Sequence, residues 1–324
     1  MEKERLRFMV TICEEYYHEG LNQQEIAKKH GISRPQVSRM ISAAKTEGIV
    51  EVNVRNPFSN EMTIEKELMK RFQLNNVIVV DSTDVDNRPS DTPFAIAGAI
   101  YLEGVIKRGG AVGVMAGKSI ASVVSEINET QQSDTHFVPL IGGWGLNDTN
   151  WHANTCVTQL SRKTKGDCWV LHAPAMVSSD KLYRNLMDEP QIKKVISLAN
   201  NVETAVVGIG EISESATFFN SMQMEKYELK KLKKEGAVAS IGTSFINSYG
   251  EEIDLHISKR MIGISGSNLK AIPLVVGLAR GIAKVDAIHA SLKGEWIDVL
   301  ITDMVTAEQI LEKEKWEETK DEEN

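Results

Sequence analysis

The stretch Ser33-Arg34-Pro35-Gln36-Val37-Ser38-Arg39 sets two guanidiniums, two hydroxyls and an amide close together with no carboxylate among them. If it opens a helix, Val37, Ile41 and Ala44 recur at helical spacing and turn inward. Arg34, Pro35, Ser38, Arg39 and Ser42 are then left on the open side. Arginine can donate two hydrogen bonds to one guanine in the major groove, and Ser33, Gln36 and the helix N-terminus suit phosphates. Ser33, Arg34, Gln36, Ser38 and Arg39 are therefore the expected DNA-binding set. The plain alternative is a helical hairpin whose polar face is merely solvated.

The elements that must position this face argue against the plain alternative. Asn22 and Glu25 form one potential capping box and Ser33 and Gln36 a second, so two short helices have marked starts. Between them Gly31 allows a positive φ, and Ile32 can plug the angle between the helices. Lys3–Glu19 carries Leu6, Met9, Val10, Cys13, Tyr16 and Tyr17 at helical spacing and supplies a third helix to cover the hairpin. Gly48 ends the unit's last helix, and Ile49–Val54 alternates like a strand that could form a wing.

Bulk properties set the frame. The chain has 324 residues, 42% of them hydrophobic, and a net charge of −8. That length suits a small unit plus a large one. Residues 1–57 carry nine Lys or Arg against eight Asp or Glu, a net of +1, which leaves −9 for the remainder. A single N-terminal unit should hold DNA weakly, and doubling by a second copy is expected. No run approaches the length of a membrane span and the first residues lack a signal peptide's cleavage site, so a cytoplasmic protein without membrane contact is expected. Cys13, Cys156 and Cys168 have no paired spacing and are expected as free thiols. The last residues, 319–324, are expected as an acidic tail.

From Val77 onward, short apolar runs alternate with amphipathic helices, the pattern of a parallel sheet buried on both faces. The runs are Val77–Val80, Ala111–Val114, Phe137–Ile141, Trp169–Leu171, Ala205–Ile209, Pro273–Val276 and Ile297–Ile301. Helices are expected at Phe94–Lys107, Ser119–Asn128, Asn154–Lys163, Ile192–Asn200, Lys284–Lys293 and Thr306–Glu317. In such sheets ligands bind beyond the carboxyl ends of the strands. The loop Met115-Ala116-Gly117-Lys118-Ser119 could offer backbone amides, a cation and a hydroxyl to an anion. It is no nucleotide-binding P-loop, because Val112 stands where the first glycine is needed. Gly142-Gly143-Trp144-Gly145 fits no dinucleotide fingerprint.

Other groups support weaker chemistry. His152, Asn154 and Cys156 lie close together, yet no second Cys/His pair stands near to complete a metal site, so no metal or other cofactor is expected. Glu211 and Glu214 follow a strand and could imitate an isomerase's base. A solvated helix start explains two carboxylates equally well.

With these parts assembled, the chain resembles the SorC family of sugar-responsive bacterial transcriptional regulators. The likeness rests on Val138–Gly143, Leu171–Ala175, Val206–Gly210, Gly236–Val238 and, most clearly, the long stretch from Val275 to Leu311. It implies an effector domain of the architecture shared by glucosamine-phosphate deaminase, ribose-phosphate isomerase and CoA transferases, acting without turnover. It also implies a homo-oligomer, a dimer or tetramer, that binds palindromic double-stranded operator DNA and answers a phosphorylated sugar or sugar-like signal. Lys284 stands where the family has its phosphate-contacting lysine. Departures occur at Met115–Ser119, where many members have G-W-G-x-T, at Ser240 in place of an aspartate, at Arg280 in place of a glycine, and at Met304 in place of an acidic or amide residue. A serine offers one neutral hydroxyl where an aspartate would accept from sugar hydroxyls.

The expectations are then an α/β protein with a helix-turn-helix domain at 1–57, an effector-binding and oligomerisation domain at 58–318, and the tail. Gly117, Lys118, Ser119, Gly142, Gly143, Ser240, Arg280 and Lys284 are the expected effector-binding residues. No catalytic residue is expected. The alternative is a sugar-phosphate isomerase or deaminase with an appended DNA-binding domain.

Overall fold

The computed structural model describes residues 2–50, 59–81, 92–130, 134–145, 149–221 and 226–322. The chain divides into two compact units, Met1–Pro57 and Phe58–Asn324.

The first unit contains α1 (Glu2–Tyr17), α2 (Gln23–His30) and α3 (Arg34–Thr46). Both expected capping boxes form. Asn22 Oδ1 accepts from the amides of Gln24 and Glu25 while Glu25 Oε2 accepts from Asn22 N at 2.8 Å. Ser33 Oγ accepts from Gln36 N, and Gln36 Oε1 accepts from Ser33 N at 2.8 Å. Gly31 sits at φ 64°, where a β-carbon would be strained. Ile12, Ile26, Ala27, Val37 and Ile41 bury their side chains together, with Ile32 packed against them. Cys13 joins Met9 and Ala44 in an adjoining apolar group. Of the expected wing strand, Glu51–Val54 lies outside the described residues.

The second unit runs α4 (Ser59–Phe72), β1 (Asn76–Val80), α5 (Thr92–Ile106), β2 (Gly110–Val114), α6 (Lys118–Glu126), β3 (Thr135–Pro139), α7 (Ala153–Thr164) and β4 (Asp167–Cys168). It continues through α8 (Asp180–Asp188), α9 (Pro190–Ala199), β5 (Thr204–Val207), β6 (Gly210–Glu211), α10 (Thr217–Ser221), α11 (Lys226–Lys234), β7 (Ala239–Ile241) and β8 (Ser244–Ile246). The last elements are α12 (Gly266–Lys270), β9 (Leu274–Leu278), α13 (Val285–Lys293), β10 (Val299–Asp303) and α14 (Met304–Glu322). Seven strands form one parallel sheet in the order β1-β10-β9-β5-β2-β3-β4. Strands β6, β7 and β8 make a small antiparallel sheet. The apolar runs of the central strands are sealed by helices on both faces: β5 and β10 are buried at every position.

Two expectations on secondary structure need correction. Trp169–Leu171 is not a strand, because the side chain of Asn154 takes both the amide and the carbonyl of Leu171, at 2.9 and 3.0 Å, in place of a neighbouring strand. The edge strand is Asp167–Cys168 instead. The helix that ends the chain runs on to Glu322, into the stretch set apart as a tail. It is tied back as far as Glu318. His289 on α13 meets Glu314 at 2.6 Å, Lys293 meets Glu317 at 2.8 Å, and Arg71 on α4 meets Glu318.

Candidate functional site

Beyond the carboxyl ends of β2, β3, β5 and β9 lies an open-mouthed pocket with a cavity volume of about 110 Å³. Its floor and walls come from loops that leave these strands, and the small sheet carrying Ser240 and Gly242 closes one side. Gly117, Lys118 and Ser119 line it as the sequence suggests. They form the start of α6, whose first residue follows an extended Gly117 with no side-chain cap, so the first-turn amides remain available to an anion.

Lys284 reaches the same pocket from the loop after β9, at the mouth of α13. Its Nζ donates to the carbonyl of Ile209 at 2.7 Å and stands 3.9 Å from Glu211 Oε2. Burial pushes the Lys284 ammonium below the ordinary lysine range; Glu211 pulls against this and Arg280 adds to it. Glu211 is 14% exposed, and its Oε1 accepts from Ser213 Oγ at 3.3 Å. Ser240, opposite Gly210 in the small sheet, completes the polar lining.

Three expected effector residues fall outside this lining. Gly142 is needed for chain packing, since a β-carbon there would come within 2.6 Å of Pro174 backbone atoms and 2.7 Å of the Ala173 carbonyl. Gly143 exchanges backbone hydrogen bonds with Ala173 and Ala175. Arg280 lays its guanidinium 5.3 Å from the ring centre of Phe94. It remains close enough to Lys284 to act on its charge. Conversely, the pocket includes Trp144, Trp151, Glu211 and Thr217, which the sequence did not assign to effector binding. Trp144 directly follows the expected glycine pair, a position that could have marked it; Trp151 left no comparable signal.

The weaker candidates resolve into structure. Cys156 is fully buried, and burial pushes its thiol up to about 12. His152 packs edge-on against Trp151. Glu214 is exposed and pairs with Lys226 at 2.8 Å, away from any partnership with Glu211.

In the first unit, Arg34, Gln36 and Arg39 are exposed and Ser38 is half-buried on the open side of α3. Ser33 and the Gln36 carbonyl oxygen are engaged in the cap. The side-chain NH₂ of Gln36 is the part that projects as a donor.

Residues 56–312 match the family model Sugar-bind, a sugar-binding domain, and residues 2–52 match a homeodomain-like domain. Over 315 residues the chain is 30% identical to the transcriptional regulator LsrR of an Enterobacter strain, covering 96% of this chain and 94% of that one. It is 25% identical to the sorbitol operon regulator of Klebsiella pneumoniae, covering 94% and 98%. The chain belongs to the SorC family. The crystal structure of full-length SorC from Klebsiella pneumoniae superposes with a TM-score of 0.73 over 95% of this chain and 99% of that chain, at 23% identity, which supports the shared fold. A SorC-family chain with a helix-turn-helix unit and a sugar-binding domain is a DNA-binding transcriptional regulator. The alternative of a sugar-phosphate isomerase or deaminase is set aside because the relatives are transcriptional regulators. No helix among the described residues is long and apolar enough to cross a membrane.

Proposed function

We propose that this regulator acts in the cytosol on a carbohydrate-metabolism operon and that its signal is a small phosphorylated sugar or sugar-like compound bound in the pocket beyond the sheet. The observation that carries this reading is the convergence of Lys284, Lys118, Ser119 and the start of α6 on one cavity. An ammonium, a hydroxyl and first-turn amides together suit a phosphate, while Trp144 and Trp151 offer flat apolar faces to a sugar ring. Gly117, Lys118, Ser119, Ser240 and Lys284 are the proposed contacts, and Arg280 acts on them at longer range through its charge.

The chain works as a homo-oligomer in this reading. With a net charge of only +1 on residues 1–57, two copies of Ser33, Arg34, Gln36, Ser38 and Arg39 are needed to hold a palindromic site whose halves lie one or more helical turns apart. The effector changes operator affinity by favouring one arrangement of the copies over another, which requires that it bind the two arrangements unequally. A melting screen against a panel of phosphorylated sugars tests the proposal. At least one compound is expected to raise the melting temperature of the unmodified protein, and Lys284→Ala is expected to abolish that rise while leaving operator affinity intact. A panel without any stabilising compound would count against the phosphate reading.

A further inference from the structure

We infer that Glu211 is a specificity-determining residue that turns the anion position at Lys284 away from bare anions and toward ligands bearing a hydrogen-bond donor beside their anionic group. The inference rests on the proposed anion site at Lys284 and adds to it a rule of selection.

The arrangement of the two side chains carries it. Lys284 has three N–H donors, and one is taken by the Ile209 carbonyl at 2.7 Å. Glu211 Oε2 stands 3.9 Å from the same ammonium, beyond direct hydrogen-bonding distance. Its other oxygen is held by Ser213 at 3.3 Å, which fixes the carboxylate at the pocket wall. Both groups are largely screened from water, at 28% and 14% exposure, so a charge brought beside them is felt strongly. The lysine and the carboxylate therefore form a loose pair, with donors free on one member and acceptors free on the other.

A sulfate ion offers oxygens that Lys284 can donate to, but at neutral pH it carries no proton to satisfy Glu211, which it meets as a like charge. A hydroxyl can accept from Lys284 and donate to Glu211 at once. A sugar phosphate presents such hydroxyls on its ring, and a sulfate ion presents none. Ser240, the nearest hydroxyl in the opposing strand, is neutral and cannot replace the carboxylate as a strong acceptor.

The test measures binding of sulfate and of glucose 6-phosphate to the full chain and to Glu211→Gln, by calorimetry and by thermal shift at neutral pH. Removing the negative charge while keeping the shape is expected to raise affinity for sulfate by about tenfold, the scale of one lost like-charge contact. A second change, Lys284→Ala in the Glu211→Gln background, is expected to erase that gain. Glu211→Ala should act in the same direction and serves if the glutamine variant folds poorly. Unchanged or weaker sulfate binding in both Glu211 variants overturns the inference. That outcome is distinct from failure of the effector proposal, which is judged on whether sugar phosphates bind the unmodified chain: a gain for sulfate in Glu211→Gln sustains the inference even if glucose 6-phosphate binds neither protein.

Discussion

His30 Nε2 stands 2.8 Å from Glu15 Oε2, and the neighbouring Lys29 Nζ lies 2.9 Å from Glu15 Oε1, so one carboxylate on α1 holds the last turn of α2 just before the glycine turn. Glu15 is 4% exposed, and burial alone would push its carboxyl up. The hydrogen bonds from Lys29 and His30 outweigh that and hold it below the ordinary carboxylate range. Its folded value thus lies below its unfolded value. The stabilisation is complete above the unfolded carboxyl's pKa and is lost as pH falls through the folded one. Melting curves of the unmodified protein against Glu15→Gln should diverge at neutral pH and converge in acid. Glu15→Ala should cost the helix-turn-helix unit about 2 kcal/mol at neutral pH, the scale of a buried hydrogen bond to a charged group.

For Arg34→Ala and Arg39→Ala, separately, operator affinity is expected to fall by about 1–3 kcal/mol with relaxed base preference at the contacted position. Binding titrations on the operator and on random DNA distinguish the outcomes. Equal losses on both would contradict base readout and leave only backbone attraction.

Gly142→Ala is expected to destabilise the second unit by about 1–3 kcal/mol without any ligand present, because the added methyl has only backbone atoms of Ala173 and Pro174 to push against. Denaturant unfolding measures this directly. A variant of unchanged stability that had lost effector response would restore Gly142 to the binding site.

Ser33→Ala removes the acceptor that caps α3 and should cost roughly 1 kcal/mol, read from thermal unfolding. It should also weaken operator binding, since the helix start it orders carries the exposed arginine side chains.

The legible parts of this protein are those whose causes are local. Asn22 with Glu25 and Ser33 with Gln36 announce their helices within four residues, and both boxes form. The continuous apolar runs at β1, β2, β3, β5, β9 and β10 mark buried strands for the same reason. Strand order is a long-range property and could not be read. Strands β6, β7 and β8, two or three residues each, are too short to show a period. In the pocket, Lys284 and Gly117–Ser119 were accessible because they stand in loops after strands. Gly142 and Arg280 fall outside the pocket lining, and sequence alone does not separate a glycine needed for close chain approach from one needed for a ligand, or an arginine facing Phe94 from one facing an anion. Trp151 was missed because an aromatic residue in an apolar context reads as core.

The pairing of β1 with β10 joins Asn76–Val80 to Val299–Asp303. During synthesis the first strand of the sheet must therefore wait, without its partner, until nearly the whole chain has left the ribosome. Helices α1, α2 and α3 share a core of their own through Ile12, Ile26, Ala27, Val37 and Ile41 and can fold as soon as they emerge. A nascent chain would so acquire its means of touching DNA well before the part that senses a metabolite exists, and a truncated product would carry the first without the second.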